Sequence, residues 1–330
     1  MERNQLQHPN TNADYYRSLG PSDRPPAPIN RLQFIAVHKD GTAVVGGSNM
    51  TDRYWCGRVW FFNDTSTFHR NRAHATANTV CDAAFLASDI FLLAEDGGGL
   101  QTLSVNKDNE SWNTCFVSTA YACHHHDSIT SIAVFECKNN FLTCSKDLSL
   151  KVWEQETFIP VFSYETAHTK KITSIDVMPN VQSVFLSTSM DRTLTIWDTN
   201  KSTPAQDLYE HSCGLTASSW SPINEHEIAV GGLDGTVILI DTRQPKKKIC
   251  QVDAFSRQVH KLKYHPKRES IVAGCCDDIQ LKVMKSSDYL SNIYIDDRHT
   301  DFVRSIAWND DDLLSCSWDD TILKHHITNF

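Results

Sequence analysis

Four groups of residues in this chain have side chains that could do chemistry. His168, Ser187 and Asp191 are the three types that make a nucleophilic triad. Cys123-His124-His125-His126 and the pair His325-His326 offer ligands for a transition metal. Glu95-Asp96-Gly97-Gly98-Gly99-Leu100 is glycine-rich, as loops that cradle phosphate are. Trp55 stands with Asp52, Arg53 and Tyr54 in a polar, glycine-containing stretch, where so large an aromatic side chain needs a reason. A triad is defined by geometry and not by spacing. Adjacent residues on a strand point to opposite faces, so neighbouring histidines cannot share an ion without a tight turn. The spacing also misses the patterns of structural zinc sites. The glycine stretch lacks the Gly-Lys-Ser/Thr of a phosphate loop and opens no helix, so it reads as a turn. The expectation is no catalytic residue, no metal and no cofactor.

The elements that must position these residues repeat. Ser145–Glu154 (SKDLSLKVWE) and Ser189–Asp198 (SMDRTLTIWD) share one template: small, any, Asp, two any, apolar, any, apolar, Trp, acidic. GLDGTVILID (232–241), CDDIQLKVM (276–284) and SWDDTILKH (317–325) follow it with Ile240, Met284 and His325 at the tryptophan place. Weaker units end at Phe62 and Leu103, giving anchors at 62, 103, 153, 197, 240, 284 and 325. Histidine recurs at His125, His168, His211 and His299, four residues before an apolar residue that opens a strand pattern, and Pro179, Pro222 and Pro266 recur in turn-like contexts. Between these marks apolar and polar residues alternate with period two, as in I-T-S-I-D-V (172–177), which argues half-buried strands. Several strands per unit, a period of about 40–45 residues and a Trp-Asp ending are the signature of WD repeats. The fold class expected is all-β, a seven-bladed WD40 β-propeller over residues 31–330. The last unit stops after its third strand. Residues 1–30 are therefore expected to be disordered in part and to supply the strand that closes the ring.

In this frame His168, Ser187, Asp191 and Trp197 read as a structural tetrad that stiffens a blade, because the same types recur at the repeat period. Trp55 falls in about seven extra residues between the second and third strands of the first unit. That insertion is expected to be a loop projecting from the face where the chain enters each blade. Trp318, in the turn of the last unit, and Phe302, in the loop entering it, would border Trp55 in a closed ring. Local packing is the plain alternative for all three. A docking anchor is the sharper one, since Trp, Tyr and Arg are enriched where interfaces concentrate their energy.

The formal net charge is −9, with 40% hydrophobic and 22% charged residues. That is a globular composition, and it lacks the basic balance of a nucleic-acid binder. An acidic surface attracts basic partners. Asp108, Glu110, Glu225, Glu227, Asp296 and Asp297 are candidates for it. Without a long apolar run or an apolar leader core, no membrane association is expected and the eleven cysteines read as thiols.

The motifs RYWCGRVWFF (53–62), DGTVILIDT (234–242), HTDFVRSIAW (299–308) and WDDTILKHH (318–326) resemble those of the methylosome WD-repeat subunits, nearly along the full chain. The paired histidines at the end of the last unit match that family. The resemblance implies a scaffold that is not an enzyme, a hetero-oligomer with a type II protein arginine methyltransferase, and presentation of basic substrates such as Sm proteins and histones. It implies a cytoplasmic and nuclear location, and a first-blade tryptophan, here Trp55, inserting into the methyltransferase. Tyr54, Arg53, Asp52, Phe302 and Trp318 would flank it. The other class weighed is a generic WD40 adaptor, in ubiquitin ligation or trafficking, which need not carry the first-blade insertion. A third class, a propeller hydrolase, would need convergent acids, bases or a metal, and the sequence offers only repeat positions.

Overall fold

The computed structural model of the protein describes residues 30–327 except 52–53, 67, 69, 71–72, 107–115, 136–138, 202 and 205. Its strands form seven antiparallel sheets in chain order. Blade one holds β1 (Arg31–Val37), β2 (Ala43–Thr51), β3 (Tyr54–Phe62) and β4 (Ala73–Thr76); blade two holds β5 (Val80–Ala87), β6 (Ile90–Glu95), β7 (Gly99–Val105) and β8 (Phe116–Cys123). Blade three holds β9 (Ile129–Val134), β10 (Asn140–Ser145), β11 (Leu150–Glu154) and β12 (Ile159–Tyr164); blade four holds β13 (Ile172–Val177), β14 (Val184–Ser189), β15 (Thr193–Asp198) and β16 (Gln206–Glu210). Blade five holds β17 (Leu215–Trp220), β18 (Glu227–Gly232), β19 (Thr236–Asp241) and β20 (Lys248–Asp253); blade six holds β21 (Val259–Tyr264), β22 (Ile271–Cys276), β23 (Leu281–Lys285) and β24 (Ser291–Asp296). Blade seven holds β25 (Val303–Asn309), β26 (Asp312–Ser317) and β27 (Ile322–His326). The chain is thus an all-β, seven-bladed β-propeller. The segment expected to close blade seven lies outside the described residues, apart from Asn30.

Each blade buries its faces on its neighbours, which is why the unit must repeat. Among the described residues the apolar core divides into seven clusters, each drawn from two adjacent blades. The cluster that closes the ring joins Leu32, Ile35, Ala43, Val45, Trp60 and Phe62 of blade one to Leu314 and Cys316 of blade seven. The Arg70 guanidinium, stacked 5.0 Å from the Trp60 ring, also bonds Asp320 of blade seven. Inner strands are tied across blades by a threonine series. Thr130, Thr173 and Thr216 donate to the carbonyls of Ile172, Leu215 and Val259 at 2.9, 2.9 and 2.6 Å.

The turn between the second and third strands is built by one device. Asp147, Asp191, Asp234 and Asp319 each accept from the backbone N–H and hydroxyl of the Ser or Thr two residues on. The residue between is left-handed: Leu148 (φ 73°), Arg192 (φ 81°), Gly235 (φ 86°) and Asp320 (φ 66°). Only Gly235 adopts this without steric cost, so at the other three positions the aspartate bonds hold a strained residue in place.

The first-blade insertion differs from expectation. The extra residues lengthen both strands and do not form a long loop. β2 and β3 stay in register from Ala43↔Phe62 through Met50↔Trp55 to Thr51↔Tyr54. Trp55 is therefore a strand residue on a hairpin that outruns the other blades. The physical reason is that pairing satisfies the backbone groups that face the partner strand, whereas a loop would leave them all to water.

Candidate functional site

The rim of the disc at the seam of blades one and seven gathers several aromatic and cationic side chains. β1 starts where β2 and β3 extend (Arg31↔Ser48↔Gly57), and β25 starts where β26 ends (Val303↔Ser317), so Arg31, the hairpin, Phe302 and Trp318 share one rim. Trp55 is 47% exposed. The Arg31 guanidinium lies 6.0 Å from the Trp55 ring and 5.0 Å from the Trp318 ring. Arg304 reaches Trp318 at 4.9 Å, while its Nη1 donates to Asp277 at 2.7 Å. Phe302 and Trp318 pack with ring centroids 5.4 Å apart, and the backbone N–H of Trp318 donates to the Phe302 carbonyl at 3.1 Å. Arg257, in the loop entering blade six, extends the row at 5.9 Å from Phe302. Phe302 and Trp318 are half-buried. Trp318 Nε1 and Arg304 Nε are buried with no hydrogen-bond partner among the described residues.

Of the residues singled out from sequence, the structure brings Trp55, Trp318 and Phe302 to this one seam. Tyr54 opens β3 beside Trp55. Asp52 and Arg53 lie outside the described residues. Arg31 carries no sequence signal, because it meets Trp318 only through ring closure; Arg304 meets Trp318 by packing within blade seven, and Arg257 meets Phe302 where blades six and seven adjoin. Guanidiniums over rings within about 6 Å gain roughly 0.5–1 kcal/mol each when exposed and hold the ring planes in fixed directions. This rim sets arginines against aromatic rings, and Arg304 is already paired with Asp277. The acidic candidates do not gather. Glu225 and Glu227 lie at the β17–β18 end of blade five, Asp296 and Asp297 at the end of β24 in blade six, and Asp108 and Glu110 lie outside the described residues.

The His-Ser-Asp set has structural geometry. The Trp197 indole N–H donates to Ser187 Oγ at 2.7 Å, Ser187 Oγ and His168 Nε2 are 2.7 Å apart, and His168 Nδ1 lies 2.9 Å from Asp191 Oδ2. An indole can only donate and a carboxylate only accept, so the serine proton points to Nε2 and the imidazole proton to Asp191. Burial by itself would raise the Asp191 pKa. The bonds from His168 and Thr193 outweigh it and hold the carboxyl well below the ordinary range. A serine engaged by an indole on one side and buried to 0% exposure meets no substrate. Blade three repeats the network with Trp153, Thr143, His125 and Asp147 at 2.8, 2.7 and 2.9 Å. Blade seven repeats it with a substitution: His299, Ser315 and Asp319 are present, and His325 Nε2 replaces the indole at 2.8 Å from Ser315 Oγ. Arg298 donates to His325 Nδ1 at 3.0 Å, which fixes the proton of His325 on Nε2. His326, the next residue, points outward to Asp312 at 2.7 Å, so the two histidines diverge.

Fold and site together define a seven-bladed β-propeller that carries a half-exposed tryptophan on its seam. Residues 116–154, 158–198, 202–241 and 291–323 match the family model of the WD domain, G-beta repeat. The chain is similar to methylosome protein WDR77 of Xenopus laevis, at 26% identity over 305 residues, spanning 89% of this chain and 88% of that protein. It is 25% identical over 164 residues to the ribosome biogenesis protein WDR12 homolog of Ixodes scapularis, spanning 49% of this chain and 37% of that protein. Over 139 residues it is 28% identical to the periodic tryptophan protein 1 homolog of Drosophila melanogaster, spanning 36% and 30%.

Proposed function

We propose that this propeller is a non-catalytic scaffold subunit of a methylosome, docking a type II protein arginine methyltransferase through the Trp55 rim. The observation that carries the reading is the placement of Trp55, 47% exposed on an extended hairpin and braced by Arg31 against Trp318. A braced aromatic loses little freedom on docking, and truncating such an anchor costs roughly 2 kcal/mol or more of binding energy. The likeness to methylosome protein WDR77 along most of both chains supports the same assembly. The partner surface complementary to this rim is an apolar slot edged with carboxylates, which would meet Arg31 and Arg257. The remaining surface, net acidic, would present basic substrates such as Sm proteins and histones in the cytoplasm and nucleus. A generic WD40 adaptor is the second reading. The matches to ribosome biogenesis proteins favour it, but they span half of this chain or less.

The test is co-expression with the type II methyltransferase of the same organism, followed by size exclusion, for wild type and Trp55→Ala. The expected outcome is co-elution of wild type and loss of the complex in a mutant whose melting curve is unchanged. A mutant that melts early would make Trp55 a packing residue. Folded wild type that never co-elutes would leave the generic adaptor as the reading.

A further inference from the structure

Blade five breaks the pattern of blades three, four and seven at four places, two buried in its core (Val230, Ile240) and two where the chain enters the blade (Cys213, Gly232). The hydroxyl of strand two (Thr143, Ser187, Ser315) becomes Val230, and the indole or imidazole donor becomes Ile240. The serine that ends strand two (Ser145, Ser189, Ser317) becomes Gly232. The loop residue two after the histidine becomes Cys213.

These changes release His211 from the network. In the three intact blades the histidine presents Nδ1 to its aspartate at 2.9 Å. In blade five the ring is turned, and Nε2 faces Asp234 Oδ2 at 3.4 Å and Thr236 Oγ1 at 3.4 Å. Both are longer than a good hydrogen bond. His211 is 7% exposed, and this nitrogen has exchanged the 2.7 Å hydroxyl it meets in the intact blades for two longer contacts. The missing side chain at Gly232 lets Asp234 and Thr236 close in where a Cβ would stand. A Cβ there would collide with Asp234 Oδ1 and sit 3.4 Å from Cys213 Sγ. Donor atoms of His211, Cys213 and Asp234 all lie within 4.8 Å of one another.

We propose that His211, Cys213 and Asp234 form a binding site for a divalent transition-metal ion, Zn2+ by ligand type, with one coordination position open to the rim. Tetrahedral zinc takes imidazole nitrogen, thiolate and carboxylate oxygen at about 2.0–2.3 Å, which places its ligands roughly 3.3–3.7 Å apart. The 3.4 Å between His211 Nε2 and Asp234 Oδ2 is that edge length, and it is poor for a hydrogen bond. Thr236 already holds the other carboxylate oxygen through its N–H at 3.1 Å and its hydroxyl at 2.7 Å, which aims Oδ2 inward and supplies the outer shell such sites need. The Asp234 side chain is 40% exposed, so an ion can enter from solvent. Binding replaces the thiol proton of Cys213 with the metal and releases that proton to solvent. No redox step is involved.

The test uses the full chain, prepared with chelator and then titrated with Zn2+ or Co2+ alone. The expected result is a rise in the unfolding midpoint with Zn2+ and a thiolate-to-metal charge-transfer band with Co2+. Both are lost in Cys213→Ser and strongly reduced in Asp234→Asn, with affinity falling by at least the roughly 10–100-fold that loss of an outer partner brings. His211→Gln serves as the third probe if either variant fails to fold. Absence of the band in wild type overturns the site. So does a band that persists in folded Cys213→Ser, since the metal then sits on other thiols.

Discussion

At the residue scale, the tetrads set what single changes cost. Ser187→Ala leaves the Trp197 indole N–H and His168 Nε2 buried without their shared partner. Each such loss costs about 1–3 kcal/mol, so urea unfolding of this variant should show a clear drop in midpoint with the slope unchanged. His325 adds a pH dependence. Burial, reinforced by Arg298 and His299 and opposed by Asp296, lowers its pKa from 6.5 to about 4. The unfolded chain therefore binds more protons than the folded one between these values. Stability is full above about pH 6.5 and falls as the pH drops toward about 4. Burial lowers the pKa of His260 and His265 in the same direction. The expected measurement is a melting temperature that declines from about pH 7 to about pH 5, with a shallower decline in His325→Gln, whose amide still donates to Ser315 but does not titrate.

Element-scale behaviour centres on the β2–β3 hairpin. The seven additional residues are visible in the sequence as a break in period, yet period alone does not say whether they form loop or strand. Pairing to Thr51↔Tyr54 decides for strand, and it places Trp55 on a stiff arm. The threonine series at 130, 173 and 216 is the converse case. Its spacing is plain in the chain, but its role requires knowing that each inner strand lies beside the next. Blade five departs by losing donors and acceptors that blades three, four and seven keep, and a lost partner is visible only when the intact blades are laid beside it.

For the whole molecule, the seam between blades seven and one carries ring closure, and the function proposed above places docking on the same seam. Leu314 is fully buried in the cluster that joins them. Leu314→Ala should cost about 2–5 kcal/mol. Because Arg31 and Trp318 face each other across the same seam, this variant should also weaken methyltransferase capture in a pull-down at temperatures where it remains folded. A core substitution of equal size in the cluster of blades three and four, Leu142→Ala, should lower stability and leave capture unchanged. Equal losses in both variants would show that capture reports global stability and not the seam.

The sequence by itself determined the number of blades, the strand pattern within each and the residue types of the tetrads, because a blade that cannot bury its faces alone must repeat its apolar and turn chemistry in the chain. It also marked Trp55 as an exception to that repeat. Only the tertiary structure decided that residues 31 and 318 are neighbours, since ring closure joins segments nearly a chain length apart. It alone decided that Arg31 stands between Trp55 and Trp318, and that the His211 ring has turned so that Nε2 and not Nδ1 faces its aspartate. Periodic patterning records what every blade needs. The contacts that make one seam or one blade different are set by packing between units, and no local pattern encodes them.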